Sequence, residues 1–475
     1  MEKYTRETKA ARLIERGVDK LLNQSQKQID EQSFNYTDLG NAERFAYQHG
    51  QYLRFVFTKE NNGYWLVWDG KRWKADELGE VYQRAKQTVR SIDDREWQMK
   101  SESKARISNM IELAKSEEGI PISRKLLDQD KYLFNVNNGT LNLQDFTISS
   151  HSQEDHITML APVDYDETAS CPMFMNFLRR IFKNDEEMID FMQRAIGYAL
   201  TGDTNEDKLF FLYGSSGNNG KTTFLNIIRA LLGDYAKQTP PSTIMKKDTE
   251  STHELARLVG SRFVSSSETE EDKHLAEALI KQLTGGDPLH ARKLYENGFE
   301  FYPTFKLFIA TNHKPRISET RDAIWRRICL LPFEVKIPDS EVDKSLEKKI
   351  IQNELSGILN WAIEGCMKWK MSGLTFPVAI QNATNEYREE MDILGRFLKE
   401  CCQEKPGAKI KSSILYDAYK DWVEEQGHRP VSHIKFSQRL EERGIEKKRE
   451  NTGVHFLNIS ILYEASSAYK LLKSR

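Results

Sequence analysis

Lys221 and Thr222 follow an apolar run and a turn rich in Gly, Ser and Asn, in Leu209–Leu225, LFFLYGSSGNNGKTTFL. The run Leu209–Leu212 suits a buried parallel strand, and Phe224 to Leu232, closed by Gly233, has a helical pattern. Strand, small-residue turn, Lys-Thr and helix together make a phosphate-binding loop. In it Gly214, Ser215, Ser216, Gly217, Asn218, Asn219 and Gly220 would turn backbone N–H groups toward phosphate oxygens. The helix start that carries Lys221, Thr222 and Thr223 adds partial positive charge. Lys221 would reach the β/γ-phosphates and the Thr222 hydroxyl would ligate Mg²⁺, so the expected ligands are ATP and Mg²⁺. The spacing departs from the usual form: Ser215 stands six residues before the lysine, where a glycine is customary, and Gly214 is one further out.

Other residues fall at the ends of later apolar runs. Arg262–Ser267, RFVSSS, leads into Glu268-Thr-Glu270-Glu271, beginning 47 residues after Lys221. Glu268 is placed to hold the Mg²⁺ shell, partly through water, and to polarise the attacking water, with Glu270 second; a solvated acidic run is the alternative. Lys306–Ala310 ends in Thr311-Asn312-His313, and Asn312 fits a sensor of the γ-phosphate. Between them Asp287–Tyr302 folds about Glu296-Asn297-Gly298 as a hairpin, projecting Arg292, Lys293 and Tyr295 near its tip. Arg326 and Arg327, beside Trp325 and before the run Ile328–Phe333, can act on a neighbouring subunit's γ-phosphate. That reading calls for a ring or another oligomer.

The segments GNNGKTTF, SSETEE, LIKQLTGGDPLHARKLY, FKLFIATNHKP and DAIWRRI, in that order, resemble the superfamily-3 DNA helicases, and most nearly the phage, plasmid and poxvirus helicase–primase branch. Upstream, FNVNNGTLNL, PVDYD and AIGYALTGDT resemble the domain that precedes the helicase there, so the likeness covers roughly residues 40–370. It implies an AAA+ core, a homohexameric ring and 3′→5′ movement on single-stranded DNA. By position it implies Lys221 and Thr222 as the phosphate-loop pair, Glu268 and Glu270 as the acidic pair, and Asn312 as sensor. Arg327 best matches the arginine finger with Arg326 close behind, and Arg292 and Lys293 lie in the DNA-contacting hairpin. Many relatives carry a primase further upstream; this chain reads as the helicase part without it, which leaves a separate primase or loader as an expected partner.

The elements that must position these groups give a multidomain α/β chain. Residues 1–35 read as a helical or flexible lead-in, 36–170 as an α+β N-terminal domain, and 171–385 as the P-loop ATPase, a parallel sheet flanked by helices. Residues 391–462 read as a winged helix and 463–475 as a tail, with polar Asn382–Glu390 as a bridge. In the N-terminal domain YWLVWDGKRW reads as a hairpin about Asp69-Gly70; Trp65, Trp68 and Trp73 are either core or a base-stacking surface. Asp164 and Asp166 read as a turn rather than a primase carboxylate pair. In the C-terminal module three helices and a β-hairpin about Glu450-Asn451-Thr452-Gly453 place a third helix for the major groove. Residues 427–449 hold seven Lys/Arg (Lys435, Arg439, Lys447, Lys448 and Arg449 among them) against three acids. A protein-docking winged helix is the alternative.

Composition sets the bounds. With 475 residues, 29% charged and 39% hydrophobic, the chain has the make-up of a soluble protein of several domains. Its net charge of −2 means that any DNA surface is local. Five cysteines without a CxxC pattern point away from zinc and toward a reduced, cytoplasmic compartment, and no run approaches a membrane span. The function expected is an ATP-dependent replicative helicase of a phage or mobile element, acting on forked or origin DNA. The alternative is an initiator that uses ATP to mark or melt an origin; a small-molecule kinase would have no use for the hairpin or the paired arginines.

Overall fold

The computed structural model describes residues 34–58, 63–246, 252–267, 273–292, 298–319 and 322–462. The expected lead-in over 1–33 and the tail over 463–475 lie outside them. The described residues form two compact units that divide between Leu160 and Ala161.

The first unit has a four-stranded sheet in the order Trp73–Ala75, Tyr64–Trp68, Leu53–Val56, Pro121–Ile122. Helices Asp38–His49, Glu80–Arg90, Arg95–Ser101 and Lys104–Ala114 cover its apolar side through Phe45, Val81, Val89 and Met110. The Asp69-Gly70 hairpin forms with Trp68 opposite Trp73, its turn closed by Asp69 Oδ1, which accepts from the Lys71 and Arg72 amides. Trp73 is fully buried and its Nε1 donates to the Gln153 carbonyl, so it belongs to the core rather than to a stacking surface. A three-stranded antiparallel sheet follows, Leu133–Val136, Gly139–Asn142 and Thr147–Ser149.

The second unit is built on a five-stranded parallel sheet. Its strands in chain order are Leu209–Tyr213, Ala236–Gln238, Phe263–Ser267, Lys306–Thr311 and Ile328–Pro332. They lie side by side as fifth, first, fourth, third, second. Strands buried on both faces need continuous apolar side chains, and Phe210, Phe211 and Leu212 are fully buried. Phe210, Phe308 and Phe263 stack across three strands with ring centroids 4.5 and 4.7 Å apart. Helix Glu186–Leu200 covers the Phe210 face through Phe191, and helix Val378–Met391 covers the Phe211 face through Tyr387. Residues 382–390 are therefore helix packed on the sheet rather than a bridge, because Tyr387 carries one polar-looking stretch into the core.

The expected boundary at 170 moves to 160 for a similar reason. Residues 161–170 are tied to helix Leu355–Ser372: Asn360 Nδ2 donates to the Asp166 and Ala169 carbonyls, and Asp166 Oδ1 accepts from Thr168 in the expected turn. That helix lies against Glu186–Leu200 at a glycine crossing. A Cβ on Gly197 would stand 2.0 Å from the Cys366 amide nitrogen, and one on Gly365 would stand 1.9 Å from the Gln193 carbonyl oxygen. Backbone cannot yield as a side-chain tip can. Gly197→Ala is expected to cost about 1–3 kcal/mol or more, read as a lowered urea midpoint; an unchanged midpoint would mean that the helices part at no cost.

The C-terminal part runs helix Ile393–Cys401, strand Cys402–Lys411, helix Ser412–Glu425, helix His433–Glu441, strand Lys447–Glu450 and strand Gly453–Ile461. The strand Cys402–Lys411 is absent from the sequence expectation: CQEKPGAKIK has little β-propensity and breaks register between Glu404 and Lys409. No helix among the described residues is long and apolar enough to cross a membrane.

Candidate functional site

The phosphate-loop candidates converge at the carboxyl end of the parallel sheet, where open α/β sheets bind ligands. Strand Leu209–Tyr213 ends at Gly214 and helix Lys221–Leu232 begins after Gly220. Gly220 has φ +85°, and a Cβ there would meet Ile181 Cγ2 at 2.6 Å, so only glycine fits this turn. At Gly214 a Cβ would lie 2.4 Å from the Phe333 carbonyl oxygen, whereas Gly217 faces open space. Glycine is therefore required one residue before Ser215, which is itself exposed, and the loop accommodates the longer spacing.

Lys221 is 6% exposed. Its ammonium donates to the Gly214 carbonyl and to Asn312 Oδ1, both at 2.8 Å. Burial pushes its pKa down to about 8. The structure thus joins the expected phosphate-loop lysine to the expected sensor, 91 positions apart. Strands Leu209–Tyr213 and Lys306–Thr311 are neighbours in register, Tyr213 beside Thr311, so Asn312 emerges level with Gly214. No side chain among the described residues caps the helix at Gly220, so its first amides remain available to an anion. Thr222 is exposed at that terminus and Thr223 is half-buried beside it. Asn219 Nδ2 donates to the Ser216 carbonyl, while Asn218 Nδ2 donates to Asp339 Oδ1 and its carbonyl accepts from the Ile337 amide. The loop is thus strapped by the segment that leaves the last strand.

Glu268 and Glu270 lie outside the described residues. Their strand, Phe263–Ser267, pairs with Lys306–Thr311 and sets Ser267 beside Ala310. Its last described residue therefore reaches the sheet edge from which Asn312 emerges.

The two arginines occupy the opposite edge. Ile328 pairs with Leu209, so Arg326 and Arg327 precede the amino end of the sheet, about 17 Å of strand from the loop after Tyr213. Their environments differ. Arg327 is buried: Nε donates to Thr284 Oγ1 at 3.0 Å, Nη1 donates to the Ala323 carbonyl at 2.8 Å, and Nη2 faces Asp207 at 3.7 Å. The Arg326 side chain is 64% exposed, and Lys208 Nζ holds its backbone carbonyl at 2.6 Å. Arg327 is thus engaged within the fold, and Arg326 is the more exposed of the two. Thr284, Asp207 and Lys208 carry no motif and were not anticipated; only folding sets them beside the arginines.

The hairpin forms between Leu289–Arg292 and Gly298–Phe301, with Arg292 opposite Gly298. Arg292 is exposed at its last paired position. Lys293 and Tyr295, in the connecting residues, lie outside the described set.

The C-terminal cations divide. Lys435 and Arg449 are exposed, Lys447 pairs with Glu441 at 2.7 Å and Lys448 lies 4.0 Å from Glu450. Arg439 instead donates through Nη2 to the Ser318 carbonyl in the sheet-bearing part of the same unit.

Residues 42–183 match the family described as "D5 N terminal like", 212–327 a "Family of unknown function (DUF5906)", and 389–461 "Poxvirus D5 protein-like". Among curated proteins, "Putative helicase L207/L206" of Acanthamoeba polyphaga mimivirus is 26% identical over 323 residues, 62% of this chain and 33% of that protein. "Putative helicase 184R" of Invertebrate iridescent virus 6 is 31% identical over 244 residues, 49% and 25%. "Putative primase C962R" of African swine fever virus (isolate Tick/Malawi/Lil 20-1/1983) is 23% identical over 354 residues, 68% and 36%. The chain spans about a third of the length of the curated relatives it matches. Of solved structures, "The apo structure of NrS-1 C terminal region" aligns over 88% of this chain and 99% of that chain at 8% identity and a TM-score of 0.47. A likeness of that degree carries no argument about fold or activity.

Proposed function

We propose that the chain is an ATP-driven replicative DNA helicase that works as a homohexameric ring, moves 3′→5′ on single-stranded DNA, and opens forked or origin DNA of a virus or mobile element. Its D5 N-terminal-like and poxvirus D5-like domains, and relatives named as helicases and primases of large DNA viruses, agree with the superfamily-3 helicase–primase resemblance. The observation that carries this reading is the buried Lys221 ammonium, set beside Asn312 at an uncapped helix start. An anion arriving there meets a cation already stripped of water, together with free amides, so little reorganisation is needed.

The residues present fit Mg²⁺ with a nucleoside triphosphate. The uncapped amides and Lys221 suit the phosphates, the exposed Thr222 hydroxyl suits the metal, and Glu268 is the second candidate for its shell. The metal would supply neutralisation of charge on the transferring phosphoryl group. Lys221 would neutralise the β/γ-phosphates, Glu268 with Glu270 would polarise water, and Asn312 would orient it once its oxygen lets go of Lys221. Arg326, on the far sheet edge, suits the next subunit's site. Arg292 with Lys293 and Tyr295 would grip the strand. The order helix, strand, two helices, hairpin at the C-terminus supports a winged helix, with Lys435, Lys447, Lys448 and Arg449 facing phosphates.

Strand displacement tests the reading. With ATP and Mg²⁺, forked DNA bearing a free 3′ tail should be unwound, a free 5′ tail should not suffice, and Lys221→Ala should be inert on both. DNA-stimulated hydrolysis without displacement would favour the initiator, and no hydrolysis under any condition would overturn the motor.

A further inference from the structure

We infer that the C-terminal module is latched to the ATPase sheet by a polar contact that duplex DNA competes away; this rests on the proposal that helix His433–Glu441 meets DNA. The two parts have separate cores. One apolar cluster holds Leu209, Phe211, Trp325 and Tyr387, the other Phe397, Trp422, Phe436 and Phe456, and among the described residues none belongs to both. They join at Asp392, which ends helix Val378–Met391 and caps helix Ile393–Cys401.

Among the described residues a polar contact bridges them. Arg439 Nη2 donates to the Ser318 carbonyl at 3.0 Å in a solvent-exposed bond. Two cavities flank it, of about 500 and 420 Å³, and Glu319, Arg439 and Glu442 line both. Lys281 and Lys435 join them in the smaller one, so the third helix turns its basic side toward the sheet-bearing part. An exposed charged contact of this kind exchanges readily with water and with other acceptors. Duplex phosphates are stronger acceptors than a carbonyl, because both partners are then charged. Arg439 and Lys435 cannot face phosphates and the Ser318 segment at once.

The segment that the latch holds is connected to the arginines. Glu277 Oε1 accepts from the Ser318 and Glu319 amides, and Lys281 pairs with Glu319 at 2.5 Å. The same helix, Glu277–Thr284, holds Arg327 through Thr284. The Glu319 carbonyl also accepts from Trp325 Nε1, next to Arg326, so release at Ser318 carries to that residue, and DNA on the terminal module reports to the subunit interface. Arg439 acts in this scheme as a positioning residue.

Hydrogen exchange read by mass spectrometry on the full chain tests this, with a mixed-sequence duplex of about three helical turns as the probe. Duplex should slow exchange in 433–441 and speed it in 316–319 by about threefold or more. Arg439→Ala without DNA should give the same speeding in 316–319 while the cores keep their protection. Slowing in 433–441 with 316–319 unchanged would overturn the latch and leave DNA binding standing. No change in 433–441 would overturn DNA binding by this helix and the latch with it. Unchanged exchange at 316–319 in Arg439→Ala would also overturn the latch.

Discussion

Lys221→Ala should lose nucleotide binding, with a Kd for ATP raised about a hundredfold or more. Removing one preorganised hydrogen-bond donor from a water-poor site typically costs about 2.7–4 kcal/mol, and the truncated side chain would leave Asn312 Oδ1 and the Gly214 carbonyl without their cation. The wild-type lysine adds a pH signature. Burial holds its free pKa near 8, and bound phosphates raise it, because opposite charge favours the ammonium. Only the protonated form attracts an anion. Affinity should therefore be level below about pH 7 and fall as pH rises through 8, by up to about tenfold per unit until the bound-state pKa is reached. Lys221→Arg, which stays charged at every accessible pH, should bind more weakly at pH 7 but without that slope. Titrating a fluorescent ATP analogue at pH 7, 8 and 9 checks both; a level wild-type affinity would show that the Lys221 amine is not what the phosphates meet.

The same residues show what a sequence carries and what it omits. The strand, turn and helix around Lys221 are legible because their requirements are local: a buried strand, small residues where the backbone turns, and a helical pattern after it. An apolar strand end marked Asn312, since whatever follows a buried parallel strand emerges at one edge of the sheet. The strand order was not legible. That Lys306–Thr311 lies directly beside Leu209–Tyr213, with three other elements of the sheet placed around the pair, depends on crossovers of tens of residues. Local patterns also misled. Asn382–Glu390 looks like a polar bridge because one aromatic, Tyr387, does the burying. Cys402–Lys411 carries no alternation because an exposed edge with a register break needs none. Arg326 and Arg327 cannot be told apart by type or spacing. Both lie within 4.0 Å of Asp207, and only Thr284 and the Ala323 carbonyl, which take Arg327 alone, show which one is held inside.

Those two arginines should fail in opposite ways when replaced. Arg326→Ala removes an exposed side chain and should leave folding unchanged, yet an arginine finger is worth about 10³–10⁵ in turnover, so ATPase should fall about a thousandfold or more in an assembled sample. Arg327→Ala should instead lower stability by about 1–3 kcal/mol, because the Ala323 carbonyl and Thr284 lose their partner inside the protein. Its activity at low temperature should fall far less. Subunit mixing makes the trans assignment specific. A Lys221→Ala subunit cannot bind nucleotide but still offers Arg326 to its neighbour, and an Arg326→Ala subunit keeps an intact loop but offers nothing. Each alone should be inactive, and the mixture should recover part of the turnover, since some interfaces then join an intact loop to an intact arginine. Full turnover in Arg326→Ala would remove it from the chemistry. Inactive mixtures that nonetheless co-assemble, as read by a tag on one subunit, would place Arg326 within its own subunit's cycle, against the roughly 17 Å of strand that separates it from its own loop.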